Sequence, residues 1–172
     1  MALHDGSGGN RMSVADRDPD INRRARFTHL DSVKVQEVRR QRHGDRIASI
    51  RDQWMEFSPA YLSLYCQWDP GVIVRSHGHY SDHVMFVIDG DMMCGDRYCP
   101  AGTHIAVDKG QAMGPFIAGP NGTRLIEVMM GDPRSFPGDN DAYLALMEER
   151  GVVQLPDPPI DMPPWLNDMR DN

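Results

Sequence analysis

Turn residues cut the chain from Tyr61 to Pro133 again and again, and no run between them shows a helical pattern. Asp69-Pro70-Gly71, Asp89-Gly90, Gly95-Asp96, Pro100-Ala101-Gly102, Asp108-Lys109-Gly110, Gly119-Pro120-Asn121-Gly122 and Gly131-Asp132-Pro133 follow one another along this span. Glycine supplies positive φ and proline a fixed φ, so such clusters read as reversals of the backbone. The runs between them alternate. Leu62, Leu64 and Cys66 share one face of Tyr61–Trp68, and Tyr61, Ser63, Tyr65 and Gln67 share the other. Val72–His79, His83–Ile88, Asp91–Cys94, Arg97–Cys99, Thr103–Val107, Met113–Ile117 and Thr123–Met130 continue the series. Asp89-Gly90 between two apolar runs is a hairpin signal. Strands at this spacing, with no helical pattern between them, predict an all-β sandwich or barrel.

Upstream, Val33–Val35 and Arg46–Phe57 read as further strands, the second ended by Ser58-Pro59. The pattern changes after Pro133. Asp139–Gly151 has acids at its start, glycine at its end and Tyr143, Leu146 and Met147 on one stripe, which predicts a helix. From Leu155 onward, five prolines alternate with Ile160, Met162, Trp165 and Leu166, as expected of an extended arm lying on the barrel. Residues 1–20 are rich in Gly, Asp and Ser, lack the apolar centre of a secretory leader, and are expected to be disordered. The division is therefore a disordered segment 1–20, a barrel domain 21–131, and a helix with a Pro-rich arm over 132–172. The 172 residues suffice for one such domain.

A net charge of −7 argues against a nucleic-acid binder. No apolar run approaches the roughly 20 residues of a membrane span. Three cysteines without a C-x-x-C pair point to a reducing cytoplasm. The charge is uneven: residues 21–51 carry nine Lys/Arg against three Asp/Glu, and residues 131–172 three against nine. These segments are either two solvated faces or complementary surfaces. The second reading, with the apolar anchors of the arm, leads to the expectation of a homodimer.

Three of the seven histidines lie within seven residues, at His77, His79 and His83. Two residues apart on a strand, His77 and His79 point to one face, and a turn at Tyr80-Ser81-Asp82 folds His83 back beside them. Three imidazoles converging from adjacent strands make a facial metal site with open positions. Neutral imidazoles leave a divalent ion its full charge, which favours anionic substrates.

Gly71, His77, His79 and Gly90 stand at the spacing of the first motif of the cupin superfamily, which this stretch resembles. His83 replaces the usual glutamate. Asp108-Lys109-Gly110-Gln111-Ala112-Met113 resembles the second motif, with Met113 in the place of its histidine. The resemblance covers about residues 60–130. It implies a cupin-type double-stranded β-helix (jelly roll) with one C-terminal helix and a Pro-rich tail. It also implies one divalent transition metal held by His77, His79 and His83. Fe(II) is favoured, and Zn, Ni, Mn and Cu also accept imidazole. The function expected from it is a metal-dependent enzyme acting on a small organic substrate, with an O₂-using dioxygenase placed first. A redox-silent lyase, isomerase or cyclase comes second, and a non-catalytic small-molecule binder third. Neither nucleic acid nor membrane is an expected partner.

Further candidates surround this centre. Glu127 interrupts the apolar run Leu125–Met130 and reads as a general base, a ligand, or half of a salt bridge. Arg75 alternates with His77 and His79 and would bind a substrate carboxylate or an ion-pair partner. Met113 is core filler or a soft ligand. His104 is a possible fourth ligand whose face alternation alone leaves open. Tyr65 and Gln67 are candidate pocket walls.

Overall fold

The computed structural model describes residues 25–163. Twelve strands and one helix account for most of them: β1 Gln36–His43, β2 Arg46–Phe57, β3 Leu62–Trp68, β4 Ile73–Val74, β5 His77–His79, β6 Asp82–Cys94, β7 Arg97–Pro100, β8 His104–Val107, β9 Ala112–Met113, β10 Phe116–Met130, β11 Ser135–Pro137, α1 Asp141–Glu149 and β12 Val152–Gln154. One antiparallel sheet runs β12-β1-β2-β3-β10-β6-β7, with β4 also on β10 and β8 also on β6; a second runs β11-β5-β9. The architecture is all-β with a single helix, as the turn pattern predicts, and it is the jelly roll that the cupin resemblance implies.

The walls close around one core. Leu62, Leu64, Cys66 and Trp68 of β3 point inward, with Met85, Val87 and Met92 of β6 and Phe116, Leu125 and Met129 of β10. Outward positions of the same strands include Phe86, Ile88, Ile126 and Met130, all exposed. The helix docks with Met147 buried beside Ile73 and Val152, and Tyr143 and Leu146 pack against that cluster. Burying one such side chain is worth roughly 1.5–3 kcal/mol. β4 has only two residues, and the buried Gln41 completes it: its side-chain amide donates to the carbonyl of Ile73 and accepts from the Ile73 N–H at 2.9 Å. No helix among the described residues is long and apolar enough to cross a membrane.

The structure departs from the sequence reading in four places. Asp89-Gly90 is no hairpin. β6 runs straight through it, as β10 runs through Gly119–Gly122, with the pairing register shifting between Ala118 and Thr123. These are bulges, which bend a strand instead of reversing it. Gly90 has φ +71°, and a Cβ there would stand 2.0 Å from the Gly122 carbonyl oxygen. The backbones cross too closely for any side chain. Val33–Val35 is not a strand. It follows a 3₁₀ turn, Leu30–Ser32, whose Leu30 and Val33 carbonyls accept from Gln53. The run Met113–Ile117 is split at Gly114-Pro115, which separates β9 from β10. Val72–His79 is likewise two strands, broken at Arg75-Ser76. The N-terminal segment 1–20 and the anchors Trp165 and Leu166 lie outside the described residues. Within them, the arm reaches Lys34 through Asp161, whose backbone N–H also donates to Gln36 at 2.7 Å.

Replacing Gly90 with alanine should cost at least the roughly 1–3 kcal/mol of a strained backbone, with the steric clash added. Urea denaturation checks this, and Gly102→Ala, at another positive φ but with open space around it, should cost less.

Candidate metal centre

β5 carries two of the histidines because both its edges are covered. β11 pairs on one side, Ser135 opposite His79, and β9 on the other, Met113 opposite His77. Gly78 between them permits the fit: a Cβ there would meet the Gln111 carbonyl oxygen at 2.2 Å. His83 opens β6 on the inward phase shared with Met85 and Val87, and pairs with Met129 of β10. Glu127 lies two residues before Met129 on the same inward phase.

The rings meet edge to face, His77 to His79 at 5.2 Å and His79 to His83 at 4.7 Å between centroids. His77 Nδ1 donates to the Arg75 carbonyl at 2.9 Å and His79 Nδ1 to the Pro133 carbonyl at 2.7 Å. A carbonyl can only accept, so the proton of each neutral ring sits on Nδ1 and the Nε2 lone pair is left free. His79 Nε2 is buried and has no hydrogen-bond partner among the described residues. His83 Nε2 lies 3.2 Å from Glu127 Oε2, and the Cys66 thiol donates to Glu127 Oε1 at 3.4 Å.

Burial sets the electrostatics. It drives the His79 pKa down to about 4, aided by the neighbouring His83, and it lowers His77 too. Burial pushes Glu127 upward, but the hydrogen bond from His83 and the charge of all three imidazoles outweigh it, and the carboxyl stays below its ordinary value. Asp52 goes the other way. Burial, then the negative charge of Glu127, raises it to about 7, against hydrogen bonds involving Cys66 and Trp54. Two acids in one cavity are thus pushed apart, Glu127 charged and Asp52 near half-protonation at neutral pH.

All these groups line one cavity of about 210 Å³. The histidines and Glu127 offer three nitrogens and an oxygen, a donor set suited to a divalent transition metal. Carbonyls behind His77 and His79 orient the rings as outer partners of metal ligands do. Among the described residues, no group of three or more His, Cys, Asp or Glu side chains is placed so as to hold a metal ion as it stands. The fit rests on the donor chemistry and on the unpartnered, buried His79 Nε2.

Arg75 is exposed and reaches the cavity lining. Four candidates do not. His104 pairs with Phe86 on the outer face of β6 and is exposed. Tyr65 and Gln67 occupy the outward phase of β3, while Leu64, Cys66 and Trp68 of the inward phase line the cavity. Met113 packs against the core beside the cavity without lining it. Sequence reasoning missed Asp52, Cys66 and Arg39. Asp52 had one visible signal, an acid inside a strand with apolar neighbours at Ile50 and Trp54.

No protein-family model and no curated protein matches the chain. Solved structures do. The polyketide cyclase RemF from Streptomyces resistomycificus aligns at 16% identity and TM-score 0.55, covering 74% of this chain and 97% of that one. An RmlC-like cupin from Shewanella frigidimarina NCIMB 400 aligns at 17% identity and TM-score 0.51, over 63% and 92%. The fold is that of the cupins. A putative acetylacetone dioxygenase from Methylibium petroleiphilum PM1 shares this cupin fold at 15% identity and TM-score 0.52, over 72% of this chain and 94% of that one. At these identities the likeness describes the fold alone.

Two opposed pH effects follow for the metal-free protein. His79 binds its proton more weakly folded than unfolded, so its contribution is whole above pH 6.5 and is lost as pH falls towards 4, by up to roughly 3 kcal/mol. His79→Asn should flatten that part of a stability–pH curve. Asp52 is raised, so its contribution is whole below pH 3.8 and is lost as pH rises towards 7. Asp52→Asn should therefore be more stable than the parent at pH 8, and the gain should vanish near pH 3.5.

Proposed function

We propose that this chain is a metal-dependent enzyme acting on a small organic substrate. His77, His79 and His83 hold one divalent transition metal, and an O₂-using dioxygenase reaction is the leading activity. The observation that carries the reading is the buried, partnerless His79 Nε2 between two other imidazoles, with Glu127 alongside. Burying an imidazole nitrogen without a partner costs free energy unless something binds there. A divalent metal in this position supplies Lewis acidity and, as iron, redox chemistry with O₂. The chain's own residues do the rest. The carbonyls of Arg75 and Pro133 hold two rings in the ligating tautomer. Glu127 orients His83 and brings the one full negative charge beside the rings. Leu64, Val74, Met85 and Phe116 give the cavity apolar walls that exclude water from the reacting group.

A second reading, a redox-silent lyase, isomerase or cyclase, is favoured by the two acids. Asp52, raised to about 7, can give a proton while Glu127 stays a carboxylate able to take one. Iron in protein purified without a histidine tag, with substrate-dependent O₂ uptake, supports the dioxygenase. Zinc or nickel without O₂ uptake supports the second reading. Protein that takes up no metal overturns both and leaves a small-molecule binder. Each of His77→Ala, His79→Ala and His83→Ala should lower metal content at least tenfold with the fold intact by circular dichroism. Met113→Leu, a volume-conserving change in the core, should leave metal content as it is.

A further inference from the structure

Arg39 of β1 and Arg75 of the β4–β5 link both line the cavity, and neither guanidinium has a partner. Neither makes a hydrogen bond or an ion pair with a described residue. Arg26, Arg40, Arg51, Arg124 and Arg134, by contrast, each pair with a carboxylate. Both arginines line the cavity that holds Asp52 and the histidines, and Arg39 is near enough to act on His77 and Asp52. The cavity holds two acids, and among the described residues neither forms an ion pair with these cations. Glu127 is engaged by His83 and Cys66. Asp52 forms no ion pair, and its Oδ1 is buried without a partner. The walls between are apolar, and about 210 Å³ corresponds to roughly seven waters at ~30 Å³ each, which limits the occupant to a small molecule.

An occupant that satisfies all three groups is defined by its chemistry. Two planar guanidinium forks match the oxygens of a carboxylate. A buried carboxyl oxygen with no donor asks for a hydroxyl or an N–H. Resting on the reading of this cavity as the substrate site, we propose that it takes a small organic carboxylate bearing a hydroxyl or N–H donor. Arg39 and Arg75 clamp the carboxylate, Asp52 Oδ1 accepts from the donor, and the rest of the molecule lies against the histidines. Arg39 and Arg75 select the substrate by charge, and the charge pattern gives it one orientation.

The test is a calorimetric titration of the full chain, as purified, with matched probes: hydroxycarboxylates of three to eight carbons, their methyl esters, the acids without the hydroxyl, the corresponding amines, and inorganic phosphate. At least one hydroxycarboxylate should bind tenfold or more tighter than its ester and its amine. Arg39→Met and Arg75→Met should each weaken that acid about tenfold and leave the ester unchanged, and the lysine variants should recover part of the loss. Asp52→Asn should shrink the preference for the hydroxyl-bearing acid over its deoxy form. Acid and ester binding alike, no carboxylate binding at millimolar concentration, or phosphate binding better than every carboxylate each overturns the proposal. Metal content is read in parallel. Arginine-dependent anion preference in a His79→Ala protein that has kept its metal refutes the metal ligand and leaves the clamp. Metal bound by the parent protein and lost in His79→Ala, with no anion preference, refutes the clamp and leaves the metal.

Discussion

The close crossing of β6 and β10 is the constraint on which the rest of the structure depends. At Gly90 and Gly122 the two backbones approach until a single Cβ would overlap a carbonyl oxygen. Because neither strand carries a side chain there, each can bulge and run on instead of reversing. One half of each strand then pairs near the cavity, His83 beside Met129, and the other half closes the far end, Met92 beside Ala118. Two hairpins in place of these two long, bent strands would leave no continuous wall to carry His83 and Glu127 inward together.

Inside that wall, the balance of buried charge decides what the cavity can do. An ionised group costs several kcal/mol to desolvate unless it is paired. Glu127 stays charged because His83 donates to it and two more imidazoles stand nearby. That same charge, with burial, pushes Asp52 towards protonation. Burial favours the neutral form of His77 and His79, so their Nε2 lone pairs remain available. Arg39 and Arg75 line the same space, Arg75 exposed and Arg39 half-buried. The cavity is thereby divided into neutral nitrogen donors, one carboxylate, one proton-exchanging acid and two free cations, each placed by a different strand or link.

Much of this was legible in the sequence. Alternation in β3 separated its two faces correctly, and the apolar stripe of α1 is the one that docks. The spacing of His77, His79 and His83 anticipated rings on neighbouring strands. The errors share one cause. Period-two alternation says which residues share a face, and only pairing says which face looks inward. Tyr65, Gln67 and His104 were placed beside the cavity, yet their strands present the opposite phase to it. Asp89-Gly90 was read as a reversal, because a bulge and a two-residue turn use the same glycine for the same positive φ.

The sequence by itself determined the all-β class of fold, most of its strands, the histidine cluster and the position of the helix. Each follows from local chemistry: backbone freedom at glycine and proline, side-chain alternation, and ligand spacing along one strand. Only the tertiary structure decided that Asp52, Cys66 and Glu127 share a cavity. They are 14 and 61 residues apart and meet through the register of β2 with β3 and of β3 with β10. It also decided that Gln41 completes β4 and that Arg39 and Arg75 line one cavity. Register between distant strands depends on how the whole core packs, and no short window of sequence carries that information.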